Sequence, residues 1–400
     1  MIQAPESSFT SDVDPQPKSL APAQPIQHKL HIAFTGSGSE YFRIWIVNLL
    51  LTLVTIGLYY PWAKVRRLRY FYGNTLVEGA ALDFHGNPKK MLRGTLLVAL
   101  LFGMYSVAGY FSNTTSLAAL VLLVAVMPAL LRASLQFRLA HTSWRGLRFH
   151  FNGNVVDAYQ AMLPMYLPSV LIVGLITVTP GLEEGKEPSW FWWAFLSIAA
   201  LTALISPWSF AKFKQYQHNH YRFAHLQTRL TTTPGSFYKL SLKIIGMVFL
   251  VLIFALVLIL VGAFIVSFKP KVDLRAVTRA WLDFLPIVAA LSAMVFVQPY
   301  AIARTQNLVW NHTGNQDLQF QSDLRFKPMF WLTLKNWLLV LLTLGFYWPF
   351  AAVAIARIRL EAASIVTHID PDTLLGQPAG SGSAAVGDAA GDILGIDFGL

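Results

Sequence analysis

A chain of 400 residues has room for two or three soluble domains, but 55% of this one is hydrophobic and 13% charged; long apolar runs with so few charges mean membrane spans. Cysteine is absent, which excludes disulfides, thiolate metal sites and a cysteine nucleophile. The formal charge of +11 sits beside the apolar runs, which fits loops held on the cytoplasmic side of a membrane and argues against a nucleic-acid-binding domain.

Residues 1–29 are polar and proline-rich, lack the three regions of a signal peptide, and read as a disordered tail. A strand-like segment, LHIAFTG at 30–36, precedes the first apolar run at 41–60. Further runs follow at about 92–111, 116–133, 160–179, 190–209, 240–267, 283–303 and 330–352. Each approaches the roughly 20 residues that a helix needs to cross the hydrocarbon core. Residues 366–400, rich in Gly and Ala, read as a second disordered tail.

The first and last runs share one motif. NLLLTLVTIGLYYPWA at 48–63 and NWLLVLLTLGFYWPFA at 336–351 align without a gap, so Asn48 matches Asn336, Thr55 matches Thr343, Gly57 matches Gly345 and Pro61 matches Pro349. Glycine tolerates the positive φ of a helix C-terminus, and proline suits the first turn of the next helix. The motif reads as helix, tight break, helix, and its two copies point to internal duplication. GSGSEYF followed by NLLLTLVTIGLYYPWAKVRRLRYFYGNTLVEG resembles the YjgN family of bacterial inner-membrane proteins, over roughly residues 30–365. That resemblance implies an inner-membrane location and a multi-pass fold; the family carries no established activity.

The longer loops also repeat one another. From origins at Pro61, Pro128, Pro207 and Pro299, with a fifth near Pro349, thirteen residues lead to Asn74, His141, His220 and His312. Thr75, Thr142, Tyr221 and Thr313 come next, and alternating pairs such as Leu82 with Phe84 and Phe149 with Phe151 follow. Gly86 and Gly153 close two of these pairs, and Phe34 with Gly36 fits the same pattern. The expected fold is therefore membrane all-α: a polytopic bundle of degenerate internal repeats, with six to eight apolar helices and a small cytoplasmic layer of short β-strands. Eight full spans would put both termini outside. Re-entrant hairpins at the two signature runs would leave six spans and both termini inside, and this second topology is favoured.

Asn74, His141, His220 and His312 are the first candidate ligand set, because one side chain per repeat can converge on a metal, a proton path or an anionic head group around a pseudo-axis. Against this stands local capping: equal spacing follows from shared ancestry and does not require convergence. Asn48 and Asn336 are the best-embedded polar side chains, suited to lining a cavity or to joining helices by hydrogen bonds. Lys64, Arg66, Arg67 and Arg69 lie on a basic, aromatic-laced segment suited to anionic lipid head groups. No phosphate-binding Gly-rich Lys loop, His-Glu-x-x-His or Gly-x-Ser-x-Gly occurs. Asp83, Asp157, Asp317 and Asp323 are placed to pair with the histidines. No cofactor or resident metal is called for. The expected role is binding or moving a small molecule or lipid, with membrane lipids as partners. The alternatives are an enzyme acting on lipid or envelope substrates with the His set, and a membrane scaffold.

Overall fold

The computed structural model describes residues 28–182, 185–267, 279 and 290–369. The two expected tails fall almost wholly outside these residues, as does the start of the apolar run expected at 283–303. Strand β1 (His28–Phe34) leads into α1 (Gly38–Val54), and α2 (Tyr60–Gly73) returns the chain to β2 (Thr75–Val77) and β3 (Ala80–Phe84). Helices α3 (Pro88–Ala108) and α4 (Asn113–Ala140) make the next excursion, ending at β4 (Thr142–Trp144) and β5 (Leu147–Phe151). Then α5 (Val155–Val178) and α6 (Ser189–Asn219) lead to β6 (Tyr221–Phe223), β7 (Leu226–Gln227) and β8 (Arg229–Leu230). Helix α7 (Pro234–Ser267) leaves, and α8 (Gln298–Trp310) returns to β9 (Thr313–Gly314) and β10 (Leu318–Ser322). Finally α9 (Phe326–Leu342) and α10 (Trp348–Glu361) lead to β11 (Ala363–Thr367).

All eleven strands belong to one antiparallel sheet, in the order β7-β6-β5-β4-β3-β2-β1-β11-β10-β9-β8. The first and last strands of that order, β7 and β8, are separated in the chain by Thr228 alone. The sheet therefore runs round almost to closure. One register recurs wherever a helical excursion ends: Phe34 pairs with Thr75, Phe84 with Thr142, Phe151 with Tyr221, Leu230 with Thr313 and Ser322 with Ala363. The two described ends of the chain meet as well, His28 opposite Thr367.

Local chemistry explains the hairpins. Glu78-Gly79 and Arg145-Gly146 both take positive φ at both residues, the conformation of a two-residue turn whose twist matches its strands. The Phe-x-Gly triplets have a different cause. The Phe84 ring folds back over Gly86, where an added Cβ would lie 2.4 Å from a ring carbon, and Gly153 is as closely covered by Phe151 and Tyr216. Inside the sheet, Leu30, Val77, Leu82 and Trp144 pack with Leu68, Tyr72 and Phe137 from the helices above. The buried Trp144 indole satisfies its N–H by donating to the Val77 carbonyl at 3.2 Å.

Prolines at equivalent origins do two different things. Pro61 and Pro349 open α2 and α10, where the missing N–H costs nothing. Pro128 and Pro207 lie inside the longer α4 and α6, and a π-helical turn at Ala293–Val297 precedes Pro299. Pro164 and Pro168 lie inside α5.

The expected all-α class with a small strand layer is corrected. Every strand except the end strands β7 and β8 pairs on both sides, so the pairs link into one eleven-stranded sheet, and the architecture is mixed. The expected six to eight apolar helices become five among the described residues: α3, α4, α5, α6 and the part of α7 up to Gly262. The two signature runs form shorter helices of 17 residues, α1 and α9, that turn back on themselves.

Candidate functional site

The repeat residues cap helices. Asn74 Nδ2 donates to the Tyr70 carbonyl, and the Nδ1 atoms of His141, His220 and His312 lie 2.8 Å from the carbonyls of Phe137, Tyr216 and Leu308. A carbonyl only accepts, so each Nδ1 carries the proton. The backbone carbonyls of Asn74, His141, His220 and His312 accept in turn from the N–H groups of Thr35, His85, Asn152 and Thr231, at the start of the connection to the next helix. These side chains therefore terminate helices and fix the junction with the neighbouring strand. Burial holds the His141 imidazole below its usual pKa against the opposing pull of the Phe137 carbonyl, with Arg148, Lys90 and His85 adding to the depression. On β5, His150 is lowered by burial and by Arg222 and Arg148.

Two of the four do share a cavity. His220 and His312 line a cleft of about 1120 Å³ between α5, α6, the β7–β8 segment and β9–β10. Its position follows from the weakness of the sheet there. Strands β7 and β8 have two residues each, and their pairings to β6 and β9 are correspondingly short. Across the seam, Asn315 Nδ2 donates to the Gln227 carbonyl at 3.1 Å, while on the β6 side the Thr228 backbone N–H donates to the Tyr221 carbonyl. Lys212 and Arg229 supply cationic groups to the walls, and Trp208 lines the end nearest the apolar part of α6. Lys212 Nζ stands 5.9 Å from the centre of the Trp208 ring, within range of a cation–π attraction. Asp157 also faces the cleft, its carboxylate 4.0 Å from His220 Nε2. Such a mixture suits a ligand with an anionic or strongly polar end.

Sequence reasoning missed Lys212, Arg229 and Trp208 as a group, because they lie on a helix and a two-residue strand with no common motif. Among the described residues no group of three His, Asp or Glu side chains converges as metal ligands do. Of the other acidic candidates, Asp323 pairs with exposed Arg325 at 3.3 Å.

Asn48 and Asn336 are buried, 7% and 3% exposed, at matching places in α1 and α9. Asn48 Nδ2 donates to the Ala63 carbonyl at 3.4 Å and so ties α1 to α2. The basic helix divides: Arg66, Arg67 and Arg69 are exposed, whereas Lys64 is buried. The Arg66 guanidinium lies 5.8 Å from the Tyr59 ring centre.

Five helices long and apolar enough to cross a bilayer, rooted in one sheet, define a multi-pass membrane protein. A family model described as "Bacterial protein of unknown function (DUF898)" matches residues 29–393. The chain belongs to this family, the YjgN family of inner-membrane proteins. It is similar to "Inner membrane protein YjgN" of Salmonella typhimurium (strain LT2), 30% identical over 162 residues that make up 38% of this chain and 41% of the relative. The namesake in Escherichia coli (strain K12) is 31% identical over 154 residues, 36% of either chain. The matched stretch thus spans about two fifths of these relatives' length. No solved structure matches.

Proposed function

We propose that this protein binds a small anionic molecule or a lipid head group in the cleft beneath α6 and hands it along or across the membrane. The observation that carries the reading is the placing of Lys212 and Arg229. Both line a cavity that begins at Trp208, in the last turn of the charge-free stretch of α6, and reaches the strands. An amphiphile seated there would leave its apolar part beside Trp208 and its charge among the cations, His220 and His312. On this reading the sheet faces the cytoplasm, in keeping with Lys and Arg crowding the segments around it. The five equivalent junctions support descent from a repeated helical-hairpin unit, a device common in transporters.

The test is mass spectrometry of the protein purified in native lipid discs, wild type beside Lys212→Gln/Arg229→Gln. A stoichiometric anionic lipid or metabolite, lost from the double variant while bulk lipid stays, is expected. Bulk lipid alone in both samples refutes the reading. A bound metal lost on His220→Asn would transfer the weight to a membrane-surface enzyme.

A further inference from the structure

We infer that the α1–α2 and α9–α10 hairpins insert their tips into the hydrocarbon of one leaflet, from the sheet side, and stop there without crossing. The turns are apolar where a turn in water would be polar. Ile56 is 94% exposed and Leu344 90%, with Val54 and Leu342 beside them almost as bare. Ile56 and Leu344 also hold φ of 49° and 50°, the left-handed region, followed by Gly57 and Gly345 at 86° and 95°. A β-branched residue rarely adopts that conformation, and an aqueous turn would place Asn or Gly there. Contacts within the chain do not account for side chains so exposed; acyl chains do.

Hydrogen bonding gives the second and independent sign. Every backbone N–H from Thr55 to Tyr60 has a partner inside the hairpin. Thr55, Ile56, Gly57, Leu58 and Tyr60 donate to the carbonyls of Leu51, Leu53, Thr52, Thr55 and Gly57, and Tyr59 donates to the Thr55 hydroxyl at 3.0 Å. The second hairpin repeats this from Thr343 to Trp348, with Tyr347 donating to the Thr343 hydroxyl at 2.9 Å. A turn in water has no need of such closure, because water serves its N–H groups. In hydrocarbon each unpaired group is costly, and irregular backbone persists only when it is satisfied internally.

Length sets the depth. The charge-free stretch from Ile44 in α1 to Ile56 in the turn beyond it rises about 18 Å, and that from Asn336 in α9 to Leu344 in its turn about 12 Å. The corresponding stretches of α4 from Asn113 to Leu131 and α6 from Ser189 to Ala211 rise about 27 and 33 Å. The hydrocarbon core is about 30 Å thick, so the second pair spans it and the first ends near the midplane. The hairpins also stand together: Phe42 packs on Phe350 and Trp45 on Phe346, at ring separations of 5.7 and 6.4 Å. They form one four-helix wedge with both tips facing the same way.

The absence of cysteine from the chain makes the test free of background. Single variants Ile56→Cys and Leu344→Cys are compared with Glu78→Cys, in the β2–β3 turn, and Tyr110→Cys, at the far end of α3. Each full-length protein is treated with a membrane-impermeant maleimide in right-side-out and in inverted vesicles, then again in detergent. Glu78→Cys and Tyr110→Cys should label from opposite faces. Ile56→Cys and Leu344→Cys should label from neither face, label fully in detergent, and carry a bimane that mid-bilayer nitroxide lipids quench best. Labelling of the tips from the Tyr110 face means that the hairpins cross. Labelling from the Glu78 face means that they lie in water. Protection from both faces without lipid quenching means that protein covers them. Any of these overturns the inference. Should Ile56→Cys fail to accumulate as folded protein, Leu53→Cys, exposed on the same helix end, reports the same depth without touching the left-handed position.

Discussion

Replacing Thr55 by valine keeps the shape of the side chain and removes one oxygen. That oxygen does two things: it donates to the Leu51 carbonyl at 2.7 Å and accepts the Tyr59 N–H at 3.0 Å. Loss of the first matters little, because the Leu51 carbonyl also accepts the Thr55 N–H. Loss of the second orphans a backbone donor at the tip of the hairpin, at a cost of about 1–3 kcal/mol. Opening of that turn should become easier by a corresponding factor, about tenfold for 1.4 kcal/mol. Hydrogen exchange of the segment around Tyr59 in lipid discs is the assay, because it reads local opening without requiring global unfolding. Thr55→Ser retains both bonds and should keep wild-type protection, and Thr343→Val should reproduce the loss around Tyr347. Protection in Thr55→Val within about twofold of wild type, or equal loss in Thr55→Ser, would refute the role given to this hydroxyl.

The helix-capping assignment predicts that His141→Asn, His220→Asn and His312→Asn keep their stability, since Asn74 already makes the same bond at the equivalent junction. Alanine at each position should cost about 1 kcal/mol in thermal unfolding, the size of one net hydrogen bond. Because His141 and His150 are held below the ordinary histidine pKa, the unfolded chain takes up more protons than the folded one as pH falls below about 6.5. Melting temperature should therefore fall on acidification from that pH towards the depressed folded pKa values; His141→Asn/His150→Gln should make the acid limb shallower than in wild type. Gly86→Ala and Gly57→Ala separate two kinds of glycine: the first places a methyl against the Phe84 ring, and the second meets no neighbour but must hold φ of 86°. Thermal unfolding should show about 1–2 kcal/mol of backbone cost for Gly57→Ala and a larger loss for Gly86→Ala.

The parts of this fold that were legible in the sequence are those in which one residue type answers one local demand. Thr-x-Gly-x-Tyr-x-Pro is readable because the Thr hydroxyl, the positive-φ Gly and the opening Pro each act within a few residues of one another. Phe-x-Gly is readable as a recurrence, although its cause, a ring lying on a bare Cα, appears only in three dimensions. Ring closure was not legible. Leu226–Gln227 and Arg229–Leu230 are too short to show alternation, and β1 and β11 meet across almost the whole chain. A reading that treats strands one by one finds a small layer; the sheet exists because every strand but β7 and β8 has two neighbours.

The histidines show the converse hazard. Their common spacing from a proline invites a ligand set, yet the same spacing arises when every helix ends at the same height above the same sheet. A side chain that reaches back to the carbonyl four residues earlier is fixed by its own helix, so it recurs at each junction whether or not a ligand is present. What sets His220 and His312 apart is the cleft at the two-residue strands, which Lys212 and Arg229 line together with them. In a ring of near-equivalent units, a binding site is best sought where the equivalence fails. Here it fails at Thr228, where one strand changes partners and the sheet leaves a gap beside the foot of a membrane-length helix.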